Sequence, residues 1–208
     1  MKPLTDEQPL QDEQGSQPFR ATNLPIISEC NAPPAVAALY AQFRSTFGRP
    51  QVPGILQCFA THPPLLEHMM GLAKTMLFTD GALGRKNKEL LATFVSARNH
   101  CDYCADSHGS SLLMSGGSPD LLSAAMTCDL HATSIDANQS ALLRFVQKVT
   151  DDSPSIHPAD IETLRAHHFA DLQIAEAIHL AALFACFNRV VNAFGLQSQG
   201  ILTASNTP

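Results

Sequence analysis

The sequence predicts an all-α fold, and three observations carry that prediction. Apolar residues recur near a helical period from Ala32 onward, capping residues punctuate those stretches, and no alternating strand pattern or Asn-Gly hairpin appears. Residues 1–24, rich in Gln, Asp, Glu and Pro, are expected to form a mobile N-terminal arm, and 25–208 a single helical domain. Pro33-Pro34 followed by AVAALYAQFRSTF opens the first helix, which Gly48 and Pro50 close. A short helix should start at Gly54 and a longer one run from Pro63 to Phe78, where Leu65, Leu66, Met69, Met70, Leu72, Ala73, Met76 and Leu77 make the all-round apolar set of a buried helix. Thr79-Asp80-Gly81 marks a turn before a helix from Arg85 to Arg98, with Leu90, Leu91, Phe94, Val95 and Ala97 inward. The next helix, Asp102 to Met114, ends at Gly116-Gly117; Ser118-Pro119 caps another through Cys128. Asp136-x-x-Gln139 reads as a capping box ahead of ALLRFVQKV, Pro158 opens a further helix, and Asp171 caps a last one that ends near Gly195. No internal repeat of solenoid period is present.

Composition narrows the chemistry. The net charge of −6, the absence of Trp and only two Tyr argue against a nucleic-acid partner, whose phosphates would need a basic surface. The most apolar stretch, Ile174 to Phe187, is interrupted by Glu176 and His179 and closed by Asn188 and Arg189, so no membrane span is expected. The N-terminal MKPLTDEQPLQDEQGSQ lacks the apolar core of a signal peptide, which points to a cytoplasmic protein. Of six cysteines, Cys30, Cys58, Cys128 and Cys186 read as core or surface thiols that a reducing compartment keeps free. Hydrophobic residues make up 45% and charged ones 15%, so some helical faces are expected to meet another subunit in a homo-oligomer.

One stretch carries chemistry: Glu89-LLATFVSARNH-Cys101-Asp-Tyr-Cys104-Ala-Asp-Ser-His108. Cys101 and Cys104, three apart at a helix start, lie on one face within reach of a disulfide. His108 is one turn beyond Cys104, and the positive field at a helix N-terminus favours a thiolate. Two thiols and a base are the parts of a peroxide-reducing cycle. An unbroken helix from 89 to 108 would separate its ends by ~28 Å, whereas a turn at Asn99 to Cys101 makes an antiparallel pair that brings Glu89 level with His108. The carboxylate would then orient the imidazole. Plainer readings stand beside these. Glu89 fits a solvated first-turn residue, His108 a satisfied polar group, and Tyr103 a packing neighbour. A zinc module would have to recruit His100 and His108, because the second Cys pair that tetrahedral zinc usually takes is missing. Asn188, Arg189 and Asn192 form a polar end on an apolar helix, read as a tie between helix ends or subunits rather than a substrate contact, and Glu176 and His179 are left open.

The pattern Glu89 … Cys101-x-Tyr-Cys104-x-x-x-His108 resembles the AhpD-like alkylhydroperoxidases of the carboxymuconolactone decarboxylase superfamily. FGRPQVPGILQCFATHPPLLEHM, DGALGR, CADSHG and AEAIHLAALFACFNRVVNAFGL resemble its uncharacterised peroxidase-related branch, over roughly Pro33 to Leu202. The resemblance implies an AhpD-like helical bundle assembled into homo-oligomers, with no metal or organic cofactor. It further implies that Cys104 attacks the peroxide, Cys101 resolves it, and Glu89 and His108 relay protons. The expected function is thus a thiol-dependent peroxidase acting on hydrogen peroxide or organic hydroperoxides, with an external dithiol or protein reductant as partner. The alternative is a dithiol–disulfide electron carrier or redox sensor. The best-known peroxidases of the family carry a His just before the second Cys, where this chain has Tyr103, so its relay is one titrating group shorter. The superfamily's decarboxylases lack the Cys pair.

Overall fold

A computed structural model of the protein describes residues 21–204, and among these every regular element is helical. Ten α-helices follow in order: α1 Pro34–Phe47, α2 Gly54–Phe59, α3 Pro63–Ala73, α4 Arg85–Arg98, α5 Asp102–Met114, α6 Pro119–Thr127, α7 Ala137–Asp152, α8 Pro158–Ala166, α9 Asp171–Phe194 and α10 Ile201–Ala204. The all-α expectation therefore holds. Most of the expected N-terminal arm lies outside the described residues. Its last part does not behave as an arm: the Asn23 backbone N–H donates to Phe194 O at 2.8 Å and its side-chain amide to Ala193 O at 3.2 Å, tying residue 23 to the end of α9.

The helix buried all round is α4 rather than α3. Leu90, Leu91, Ala92, Phe94 and Val95 are wholly enclosed, and so are the polar Glu89, Thr93 and Ser96. This helix packs against α5, α6, α7 and α9 at once, which leaves its stretch from Lys88 to Ser96 no solvent face. Ala97, expected inward, is half-buried at its end. On α3 only Leu66, Met70 and Ala73 are buried, while Leu65 and Leu72 are 37% and 42% exposed. The expected single helix from 63 to 78 also changes pitch: Lys74–Phe78 is a π-helix, whose wider turn brings Leu77 into the core.

Asp171 does not cap α9. Its N-cap is Ala170, whose N–H is satisfied by the Gln173 side chain at 2.8 Å, while the Asp171 carboxylate pairs with Arg165. At 24 residues α9 is long and apolar enough to cross a bilayer by length and composition, contrary to the shorter span read from sequence. Ile174, Ala177, Leu180, Ala181, Leu183, Phe184 and Phe187 on it are core residues. Glu176 is structural: its carboxylate accepts from the Ala82 and Leu83 N–H groups at 2.9 and 3.0 Å, and lies 3.9 Å from Lys88 Nζ. Buried Lys88 in turn donates to Thr79 O at 2.9 Å, so the loop ahead of α4 is pinned from both sides. Arg189 is exposed and donates only to Ala185 O within its own helix, while His179 is exposed too.

Candidate active site

The turn between α4 and α5 builds the site. His100 sits in the left-handed region at φ 52°; its N–H bonds to Ala97 O at 3.0 Å, and the Cys101 N–H to Ser96 O at 2.9 Å. These two bonds are the Schellman arrangement, which reverses the chain within two residues. Asn192 on α9 holds the turn, donating to Asn99 O and His100 O at 3.3 Å each. Cys101 then becomes the N-cap of α5, and Cys104 falls in its first turn.

The reversal brings Glu89 and His108 together: His108 Nδ1 is 2.8 Å from Glu89 Oε2. Glu89 is fully buried, with its other oxygen 2.5 Å from an Arg85 guanidinium nitrogen one turn earlier on α4. Arg85 is fixed by Leu77 O at 3.3 Å and by the Phe78 ring, 4.8 Å from its guanidinium carbon. The order is Arg85, Glu89, His108, with Phe184 edge-on to the imidazole at 4.7 Å. Bonded through Nδ1 to a carboxylate, the imidazole has its Nε2 left for chemistry. Arg85 was missed in the sequence, although its i,i+4 spacing to Glu89 was the available signal.

The two thiols act on each other, and the Asn188 amide favours the anion of either one. Asn188 is completely buried on α9, held by Ser96 Oγ at 3.1 Å and by the Asn99 amide at 2.9 Å. The Cys104 thiol lowers the Cys101 pKa from the ordinary thiol value, against the opposing effect of burial. Cys104, as the donor beside that developing charge and itself buried, is pushed up. The first negative charge of the pair is thus stabilised on Cys101, with Cys104 as its proton-bearing neighbour. For Cys104 to act as a nucleophile its proton has to pass to Cys101 or to another base at the site. Cys58, by contrast, is buried without such partners and its pKa is pushed up to about 12. Asn188, expected to tie helix ends, does so through Ser96 and Asn99, and it also lowers the pKa of both thiols.

Beside the sulfurs lies a cavity of about 520 Å³. Cys104, Tyr103 and His108 line it, whereas Cys101, wholly buried, does not. Its walls are apolar, dominated by Phe43, Phe47, Phe59, Phe78, Phe184 and Phe187. Tyr103 is locked in place, its phenol oxygen accepting from the Gly54 N–H at 2.8 Å, and burial pushes its pKa up to about 12, so the phenol keeps its proton. Gln199 and Ile201 close one side of the cavity. They are strapped to α5 by Asp106, whose carboxylate accepts from Ser198 Oγ, Ile201 N and Leu202 N at 2.8 to 2.9 Å. Among the described residues no three His, Cys, Asp or Glu side chains gather as metal ligands, and His100, which a zinc site would need, is exposed on the turn.

Helices α4 and α5, with a dithiol at their turn and a buried glutamate facing the histidine, define a class of helical protein recognisable by comparison. Residues 63–146 match the carboxymuconolactone decarboxylase family, and the all-helical fold is AhpD-like. Among solved structures it is similar to an alkylhydroperoxidase AhpD core, an uncharacterised peroxidase-related protein from Ralstonia eutropha, with 25% identity and a TM-score of 0.76 over 88% of this chain and 94% of that one. It is equally similar to a peroxidase-related protein from Silicibacter, with 25% identity and a TM-score of 0.74 over 89% and 95%. The debrominase Bmp8, in complex with 2,3,4-tribromopyrrole, shares the fold at 16% identity, with a TM-score of 0.71 over 90% and 97%. No curated relative matches.

Proposed function

We propose that the protein is a thiol-dependent peroxidase that reduces organic hydroperoxides or hydrogen peroxide through the Cys101–Cys104 pair. The observation that carries this reading is the asymmetry of the dithiol: Cys104 opens onto an apolar cavity shared with His108, while Cys101 lies behind it in contact with Cys104 and Asn188. In the proposed cycle the Cys104 thiolate attacks the terminal peroxide oxygen and the O–O bond breaks. Cys104 becomes a sulfenic acid, and the departing alkoxide takes a proton and leaves as the alcohol. His108, oriented by Glu89 and Arg85, and the protonated Tyr103 are the donors at hand. Cys101 then attacks the Cys104 sulfur, hydroxide departs and is protonated to water, and a disulfide forms. An external dithiol reduces that disulfide and restores both thiols.

Burial also weighs against the electron-carrier reading. Cys101 is 0% and Cys104 4% exposed, so a disulfide on the surface of a folded partner has no direct approach, whereas a small peroxide enters the cavity. We assign the protein to the cytoplasm on the same chemistry, because the cycle needs a reducing compartment to turn over. The deciding experiment is a dithiol-dependent peroxidase assay on wild type and Cys104→Ser. Turnover should fall at least ~100-fold in the variant, as expected for loss of the attacking group. Full activity in Cys104→Ser would remove the assignment.

A further inference from the structure

The cavity differs in charge from the rest of the molecule. The chain carries 19 acidic and 13 basic residues, yet among the described residues no Asp or Glu lines the cavity. Its buried part holds Cys104 and Tyr103 among phenylalanines; its exposed rim carries Arg49, Gln51 and Gln199. Arg49 packs its guanidinium 5.7 Å from the centre of the Phe78 ring, and Arg85 packs against the same ring at 4.8 Å. The two cations differ in one respect. Arg85 is neutralised by Glu89, while Arg49 has no carboxylate or hydrogen-bond partner among the described residues. A guanidinium held over a ring at the mouth of an apolar cavity costs little desolvation and presents its fork for a bidentate anion.

From this we infer that the substrate is an amphipathic organic hydroperoxide with a bulky apolar body and a carboxylate remote from the peroxide. The body fills the phenylalanine-lined cavity, the peroxide reaches Cys104, and the carboxylate stays at the mouth on Arg49. The volume of about 520 Å³ sits within the ~300–1,000 Å³ typical of sites for organic ligands and far exceeds what hydrogen peroxide can fill. A molecule that leaves most of the apolar wall in water gains none of the burial energy available there, at ~25 cal/mol per Å². The inference rests on the peroxidase reading for its chemistry but not for its binding.

The test compares three peroxides on wild type, Arg49→Gln and Arg49→Lys: the hydroperoxide of linoleic acid, its methyl ester, and hydrogen peroxide. Wild type should have its highest kcat/KM with the acid and its lowest with hydrogen peroxide. The acid-to-ester ratio should fall roughly fivefold in Arg49→Gln, the size expected of a partly exposed ion pair, and recover in part in Arg49→Lys. A ratio unmoved by Arg49→Gln, or a preference for hydrogen peroxide, overturns the inference. A second measurement separates this from failure of the peroxidase reading: calorimetric binding of the corresponding hydroxy acid to Cys104→Ser protein, with and without Arg49→Gln. Binding that depends on Arg49 in a protein that turns over no peroxide upholds the ligand class and removes the reaction. Absence of binding removes the ligand class.

Discussion

The Cys104 thiol and the Asn188 amide beside Cys101 both stabilise its anion while burial opposes it. Because the folded-state pKa lies below the ordinary thiol value, the thiolate is present above that depressed value and is lost as pH falls through it. Turnover should show an acid limb at the same place, lower than for an ordinary thiol. Replacing Asn188 by Ala removes a donor and should move that limb, and the ultraviolet thiolate absorbance with it, to higher pH. An unmoved or lowered midpoint would show that the amide does not act on the sulfurs. These residues were unequally legible beforehand. Cys101, Cys104 and His108 could be singled out because spacing alone puts a second thiol and a base near the first, and Glu89 by assuming a turn at Asn99 to Cys101 and by the family resemblance. The Asn188 contact could not, since it joins two segments about ninety positions apart and only the crossing of α9 over the α4–α5 turn creates it.

Helix ends explain where the element-level reading succeeded and where it did not. Ser118 and the Asp136–Gln139 capping box act as their sequence signatures say, through side-chain bonds to backbone N–H groups. Three helix stops gave no such warning, because His100, Cys128 and His168 take the left-handed position usually given to Gly. At His100 the strain is on the order of 1 kcal/mol, and the Asn192 side chain helps to hold the turn against it. Urea denaturation of His100→Gly and His100→Ala should therefore separate the two, with Gly more stable by about 1 kcal/mol because it alone adopts φ 52° without a Cβ clash. Equal midpoints would mean that the turn relaxes to negative φ. The reading of α3 failed for a different reason: an apolar composition does not say how many neighbours a helix has, and α4, with more polar residues, is the one surrounded.

At the scale of the whole molecule, stability is unevenly distributed. The core around α4 is enclosed by helices on all sides, whereas the segment from Leu196 to Ala204 is fastened to α5 chiefly by the Asp106 carboxylate. Asp106→Ala removes three hydrogen bonds at once. Hydrogen exchange should then become fast across 196–204 while α4 keeps its protection, the signature of a local rather than global opening. Loss of protection in α4 as well would show that the strap supports the whole fold. The all-helical class was readable from periodicity and capping; this strap was not, because Asp106 reads locally as an ordinary exposed carboxylate on a helix.

The same strap bears on how the protein is handled. Gln199 and Ile201 form part of the cavity wall, and the described chain continues only to Ala204. A purification handle joined after Pro208 starts seven residues beyond Ile201, close in sequence to the wall of the cavity that the proposed substrate would enter. The terminus chosen for a fusion is thus a kinetic variable, and rates measured with the handle removed are the ones that report on the dithiol.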